Sequence, residues 1–186
     1  MIRRVVQFVL ILAVVTASFS AVAQQVIATL PVGSDPQSSA VNSTTNKIYV
    51  ANDCGNDPNC ASNGTVTVID GPTNNTLSVN VGALPYTVAV NSVTNKIYVV
   101  NNCGSDLTCS SDGTVTVIDG ATLATNTVTV GSNPYGVAVN SVTNKIYVTN
   151  ICGTDVNCST DSGTVTVIDG ATLSTVTVAE IGRAHV

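Results

Sequence analysis

A 49-residue repeat, short Val-, Thr- and Ile-rich runs, and Gly, Asn and Pro at the joints between them predict an all-β fold. Each repeat holds four such runs, and four antiparallel strands in roughly 40 to 50 residues make a propeller blade. The chain is therefore expected to form a β-propeller of three four-stranded antiparallel blades. That is an incomplete, truncated ring, because propellers close with about 4 to 8 blades. Tandem immunoglobulin-like sandwiches need about 100 residues per unit, more than this period supplies.

The elements follow in order. Met1 to Ala23 reads as a signal peptide: Arg3 and Arg4 at the start, an apolar run from Val5 to Ala17, and Ala21-Val22-Ala23 at the cleavage position. The apolar run is shorter than the roughly 20 residues that cross a bilayer, so no membrane span is expected after cleavage. Residues 24–179 carry the repeats, with blades over approximately 33–81, 82–130 and 131–179, and with 26–32 as a stray outer strand. In the second copy the strands are expected from Tyr86 to Asn91, Lys96 to Asn101, Thr114 to Asp119 and Thr125 to Val130, separated by turn-forming Asn95, Gly113 and Gly120. The first copy places them near Ser38 to Asn42, Lys47 to Asn52, Thr65 to Asp70 and Asn75 to Val81. The third runs Tyr135 to Asn140, Lys145 to Asn150, Thr164 to Asp169 and Ser174 to Val178, with a one-residue insertion in the loop after Cys158. Residues 180–186 break the repeat, and the last six back-translate to a common sequencing-adapter read, so the tail is expected to be artefactual and the natural chain to continue.

With leader and tail set aside, Lys47, Lys96 and Lys145 face ten aspartates, a net charge of −7 (3 − 10). An acidic chain without a basic cluster argues against nucleic acid as a partner, since neutralising phosphates takes Lys and Arg.

Tyr147-Val148-Thr149-Asn150 reads YVTN, and Tyr49-Val50-Ala51-Asn52 and Tyr98-Val99-Val100-Asn101 are variants of it. A Gly-x-x-Pro step precedes each first strand, and Thr-Val-Thr-Val-Ile-Asp-Gly follows each loop. With these motifs the chain resembles the YVTN-type β-propeller repeat family over roughly Val26 to Val178. The resemblance implies a propeller among secreted, periplasmic or surface-layer-type prokaryotic proteins and names no activity. The longer, cysteine-bearing loop departs from the usual family pattern.

All six cysteines fall in that loop: Cys54 with Cys60, Cys103 with Cys109, Cys152 with Cys158. Even, regularly placed cysteines in an exported protein predict disulfides within each loop, each stabilising by roughly 2 kcal/mol. Zinc commonly takes four Cys or His ligands, and the repeats offer two cysteines per loop and no histidine. Five intervening residues also depart from the Cys-x-x-Cys redox motif. No cofactor is expected. Calcium remains a weak candidate at Asp57, Asp106 and Asp155, which recur without EF-hand spacing and equally suit turns.

Strands alternate in direction, so the cysteine loops and the blade-to-blade connectors are expected on one face. That face collects Asp35, Asp53, Asp57, Asp106, Asp112, Asp155 and Asp161, while the three lysines and the Asp-Gly aspartates Asp70, Asp119 and Asp169 offset one another at the other end. Asp53, Asp57, Asp106 and Asp155, with Tyr86 and Tyr135 in the connectors, form the candidate binding face for a basic or cationic protein or cell-envelope partner. Tyr49, Tyr98 and Tyr147 are expected to pack within the blades. Sequons at Asn42, Asn63, Asn74 and Asn157 permit glycosylation.

The repeats hold no histidine, no nucleophile beside a base and no nucleotide-binding glycine loop, so they point to a non-catalytic binding or scaffolding module. The competing expectation is a fragment of a lactonase- or lyase-like propeller enzyme whose catalytic residues lie in missing blades.

Overall fold

The structure is a computed structural model that describes residues 25–159 and 163–179. The expected leader, the tail and Asp161 lie outside the described residues. Among the described residues, twelve strands form three separate four-stranded antiparallel sheets. Blade 1 contains β1 (Pro36–Asn42), β2 (Lys47–Asn52), β3 (Thr65–Asp70) and β4 (Thr76–Asn80). Blade 2 contains β5 (Pro85–Asn91), β6 (Lys96–Asn101), β7 (Thr114–Asp119) and β8 (Thr125–Thr129). Blade 3 contains β9 (Pro134–Asn140), β10 (Lys145–Asn150), β11 (Thr164–Asp169) and β12 (Thr175–Ala179). Each sheet runs in sequence order, and the described residues include no helix.

The central register repeats: Lys47 opposite Asp70 and Asn52 opposite Thr65, then Lys96 opposite Asp119 and Asn101 opposite Thr114, then Lys145 opposite Asp169 and Asn150 opposite Thr164. The extra residue of the third copy therefore falls outside the ladder, in a loop, where length is tolerated.

Alternation along each second strand sends Tyr and the residue two places on to one face, and Ile and Val to the other. A single sheet has no interior, so the apolar cores lie between blades. Tyr49, Ala51, Val66 and Val68 of blade 1 pack against Val88, Ile97, Val99 and Ile118 of blade 2. The same pattern repeats one blade on, with Tyr98, Val100, Val115 and Val117 against Ile146, Val148 and Ile168. Burying each of these large side chains contributes roughly 1.5 to 3 kcal/mol.

At the end opposite the cysteine loops, asparagines join neighbouring blades. The Asn42 Oδ1 accepts the N–H of Thr44 and Thr45, and its Nδ2 donates to Asn95 Oδ1 of blade 2 at 2.9 Å. Asn91 repeats this toward Asn144 of blade 3, also at 2.9 Å. Asn42 is fully buried, so its sequon is closed to glycosylation in the folded chain. Lys96 pairs with Asp119 at 2.7 Å and Lys145 with Asp169 at 2.6 Å, whereas Lys47 donates to the Gly120 carbonyl of the next blade at 3.2 Å. Hydrogen bonds from these lysines hold the Asp119 and Asp169 carboxyls well below the usual carboxylate range.

Three expectations are corrected. Residues 25–33 form no strand, and Val26 and Ile27 are 80% and 95% exposed. Each of the three blades already holds its four strands, from its own repeat, and 26–32 pairs with none of them. The first strands begin at Pro36, Pro85 and Pro134, before their expected starts, because a bulge carries the chain past residue 37, 86 or 135 and pairing resumes. Tyr49 and Tyr98 are 0% exposed, but Tyr147 is 39% exposed, because among the described residues no blade packs on that side of blade 3.

Candidate functional site: the disulfide-loop face

The cysteine loops and the connectors do share one face, joined by backbone hydrogen bonds. Ser34, Ala83 and Ser132 in the connectors donate to the carbonyls of Gly55, Gly104 and Gly153 at 2.6, 2.7 and 2.7 Å. Across to the next blade, Gly64 and Gly113 donate to Gly82 and Gly131 carbonyls at 3.0 and 3.1 Å. Each loop of blades 1 and 2 thus fastens its own blade to the following one.

The signature asparagine anchors this arrangement from below. Asn101 is fully buried; its Nδ2 donates to Thr114 and Thr116 hydroxyls at 3.0 and 2.9 Å, and its Oδ1 accepts the Gly82 N–H at 3.2 Å. Asn150 does the same with Thr164, Thr166 and Gly131, and Asn52 reaches Thr65 and Thr67. Sequence reasoning quoted this residue as part of a motif but assigned it no role. The recurrence of Asn with Thr-x-Thr on the adjacent strand was the available signal.

The predicted disulfides form within each loop: Cys54 with Cys60, Cys103 with Cys109, Cys152 with Cys158, at Cα separations of 4.3, 4.4 and 4.8 Å. The first cysteine of each pair is buried and the second exposed. Between them, Asp57, Asp106 and Asp155 organise the loop. The Asp57 carboxylate accepts N–H groups of Asn59 and Ala61 at 2.9 and 3.0 Å. Asp106 accepts those of Thr108 and Ser110 together with both their hydroxyls, and Asp155 those of Asn157 and Ser159. The Ser110 and Thr108 bonds hold the Asp106 carboxyl well below the usual range. Both oxygens of each carboxylate are thereby engaged by the loop's own donors, a turn-capping role for the residues weighed as calcium ligands.

Asp53 differs from them. Its Oδ1 is buried without a partner, and it lies close enough to Asp35 and Cys54 that one ligand atom from each falls within 4.8 Å of the others. Cys54 is disulfide-bonded and supplies no thiolate, so this trio is not a metal set. Blade 2 has Asn102 in place of Asp53, and its Nδ2 donates to Asn133 Oδ1 and to the Pro134 carbonyl of blade 3. An ionised aspartate has no proton to give. Burial, and then the charge of Asp35, push the Asp53 carboxyl above its usual pKa.

A raised folded-state pKa contributes stability only below the unfolded value, near pH 4, and loses it as pH rises through the folded value. Asp53→Asn is therefore expected to raise the urea midpoint at pH 7 and to leave it unchanged below about pH 4. An equal gain at both pH values would sink this account of Asp53.

Tyr86 and Tyr135 are the bulge residues of blades 2 and 3, at the connector end of the first strands. Their ring centroids lie 4.6 Å apart at an interplanar angle of 37°, their hydroxyls 3.1 Å apart. The two residues are 37% and 48% exposed, and the hydrogen bond shared by their hydroxyls pushes the Tyr86 phenol up. Blade 1 has Gln37 at this place. A shallow concavity of about 470 Å³ lies beside the first loop, lined by Asn56, Asp57, Ser62, Asn63, Thr65, Asn80 and Val81. A smaller one, about 110 Å³, separates the second and third loops. The structure thus brings Tyr86 and Tyr135 together, while Asp57, Asp106 and Asp155 stay apart, one per loop.

No family model matches this chain, and no curated protein matches it. Among solved structures it is similar to a chain of a nidogen/laminin complex, at 12% identity and TM-score 0.54 over 78% of this chain and 49% of that one. It is also similar to Kuenenia stuttgartiensis hydrazine synthase, at 17% identity and TM-score 0.59 over 78% of this chain and 38% of that one. A third is the β-propeller domain of the Trilobed protease from Pyrococcus furiosus, which has an open velcro topology, at 11% identity and TM-score 0.53 over 84% and 44%. At these identities the likeness bears on fold alone. The fold is that of a β-propeller, present as three unclosed blades, and the chain spans less than half the length of these solved chains.

Proposed function

We propose that this chain is a non-catalytic, exported propeller module of the YVTN type that binds a basic or cationic partner at the cell envelope through its disulfide-loop face. The observation that carries the reading is the exposed Tyr86–Tyr135 pair at the end of the sheets that also carries the acidic loops. Ring faces attract ammonium and guanidinium groups, and the surrounding aspartates add a negative field. Export is supported by the disulfides, which persist in oxidising compartments, and by the leader-like start of the chain. That leaves the periplasm, the cell surface or the medium. No helix among the described residues is long and apolar enough to cross a membrane.

The reading of a propeller enzyme has no group to rest on here, since the repeats hold no histidine and their low-pKa aspartates are tied to turns. The proposal is tested by measuring binding of a Lys-rich peptide to the exported chain at low ionic strength. Tyr86→Ala combined with Tyr135→Ala is expected to weaken binding roughly tenfold, and added salt to weaken it further. Equal affinity of the wild-type and doubly substituted chains would refute the role of this face.

A further inference from the structure

We infer that Tyr86 and Tyr135 form an oxidative modification site, at which hydrogen peroxide activated by a haem peroxidase joins the two rings as a dityrosine that ties blade 2 to blade 3. Composition concentrates oxidation on tyrosine. The chain has no tryptophan, its one methionine is Met1, and the six cysteines are held in disulfides. Of its five tyrosines, Tyr49 and Tyr98 are fully buried, while Tyr86, Tyr135 and Tyr147 are open to solvent. Among the described residues, only Tyr86 and Tyr135 are in ring contact.

Their geometry suits coupling. The ring centroids are 4.6 Å apart and the hydroxyl oxygens 3.1 Å apart, and the carbons ortho to each hydroxyl lie between those two points along the ring. The nearer ortho carbons therefore stand in van der Waals range. The backbone holds them there, since both residues are bulges of first strands in adjacent blades and the Thr87 hydroxyl donates to the Tyr135 carbonyl at 2.6 Å. The contact lies between two described blades. Blade 2 has a neighbour packed on either side, so the exposure of Tyr86 does not come from an open flank.

In the reaction each phenol gives up one electron and its hydroxyl proton, and the two phenoxyl radicals join at their ortho carbons. One C–C bond forms. The two ortho C–H bonds break as those hydrogens move to the phenolic oxygens, which restores both aromatic rings. In sum two electrons and two protons leave the pair and reduce one peroxide to two waters. Rings already in contact couple faster than rings that must meet by diffusion. The new bond would span a sequence separation of 49, against 6 for each disulfide, and a longer closed loop constrains the unfolded chain more on the chain-entropy account. The disulfides staple single loops, whereas this bond would staple two blades. It needs no bound partner, so it stands apart from the binding of a cationic one.

The full chain, exported so that its disulfides form, is treated at low concentration with a haem peroxidase and limiting hydrogen peroxide. A monomer with dityrosine fluorescence and a mass lower by two hydrogens is expected. Trypsin cuts after Lys47, Lys96 and Lys145, which places Tyr86 and Tyr135 in separate peptides, 48–96 and 97–145, so their recovery as one linked species locates the bond. Tyr86→Phe and Tyr135→Phe keep the stacked rings but lose a phenol, and each is expected to lower the yield of that species at least about tenfold. Tyr147→Phe should leave it unchanged. The inference is overturned if no such monomer forms, if tyrosines couple only between chains, or if the linked peptides survive either Phe substitution at the pair.

Discussion

Gly82→Ala is expected to destabilise the fold by about 3 kcal/mol, read as a lowered urea midpoint with an unchanged slope. Its cause is space. A Cβ built on Gly82 would come to 2.2 Å from the Gly104 carbonyl oxygen and 2.6 Å from Asn101 Cγ. Neither can withdraw cheaply, since the Gly104 carbonyl accepts the Ala83 N–H at 2.7 Å and Asn101 is fully buried. Gly33 and Gly131 meet the carbonyls of Gly55 and Gly153 in the same way. The glycine of the Gly-x-x-Pro step is therefore where the connector crosses the cysteine loop of its own blade. Gly136→Ala is the control. Its nearest neighbour is the Thr149 hydroxyl at 3.0 Å, and the corresponding residues in the other blades are Thr87 and Ser38. It is expected to change stability by less than about 1 kcal/mol. Equal losses at Gly82 and Gly136 would show that backbone freedom, not the carbonyl contact, is at stake.

Asn101→Ala is expected to cost a similar amount, about 3 kcal/mol, because it leaves three hydrogen-bonding groups without a partner in a buried place. Those groups are the hydroxyls of Thr114 and Thr116 and the N–H of Gly82. Asn101→Asp retains the acceptor for Gly82 but loses both donors, and it introduces a buried charge, so it should be no better at neutral pH. Adding Thr114→Val and Thr116→Val to Asn101→Ala removes the stranded hydroxyls. The triple variant is expected to recover part of the loss, in a cycle measured by urea unfolding. No recovery would mean that the asparagine acts through packing alone.

The two predictions meet at one junction: the buried amide grips the third strand below and the connector glycine above, and the disulfide loop closes over both. This gives the repeated Asn and Gly of each blade a shared structural role at that junction.

The sequence by itself determined the strands, their order within each unit and the pairing of cysteines. These are local properties: alternation of apolar residues marks a strand, short turns force antiparallel neighbours, and a short span between two cysteines brings them together. It also determined the sharing of one face by loops and connectors, because that follows from strand direction. The correction at 26–32 has the complementary cause, since an apolar run becomes a strand only where a neighbouring strand pairs with it, and none of the three blades does so here.

Only the tertiary structure decided what each repeated residue does. Asp57 and Asp53 lie close together in one acidic loop, yet one has its carboxylate held by backbone N–H groups and the other has a buried oxygen facing no donor. Tyr98 and Tyr147 occupy the same place in the repeat, and one is sealed while the other stands open. Burial and partnership depend on which sheet lies across the gap, and that is a property of the assembled blades rather than of any one segment.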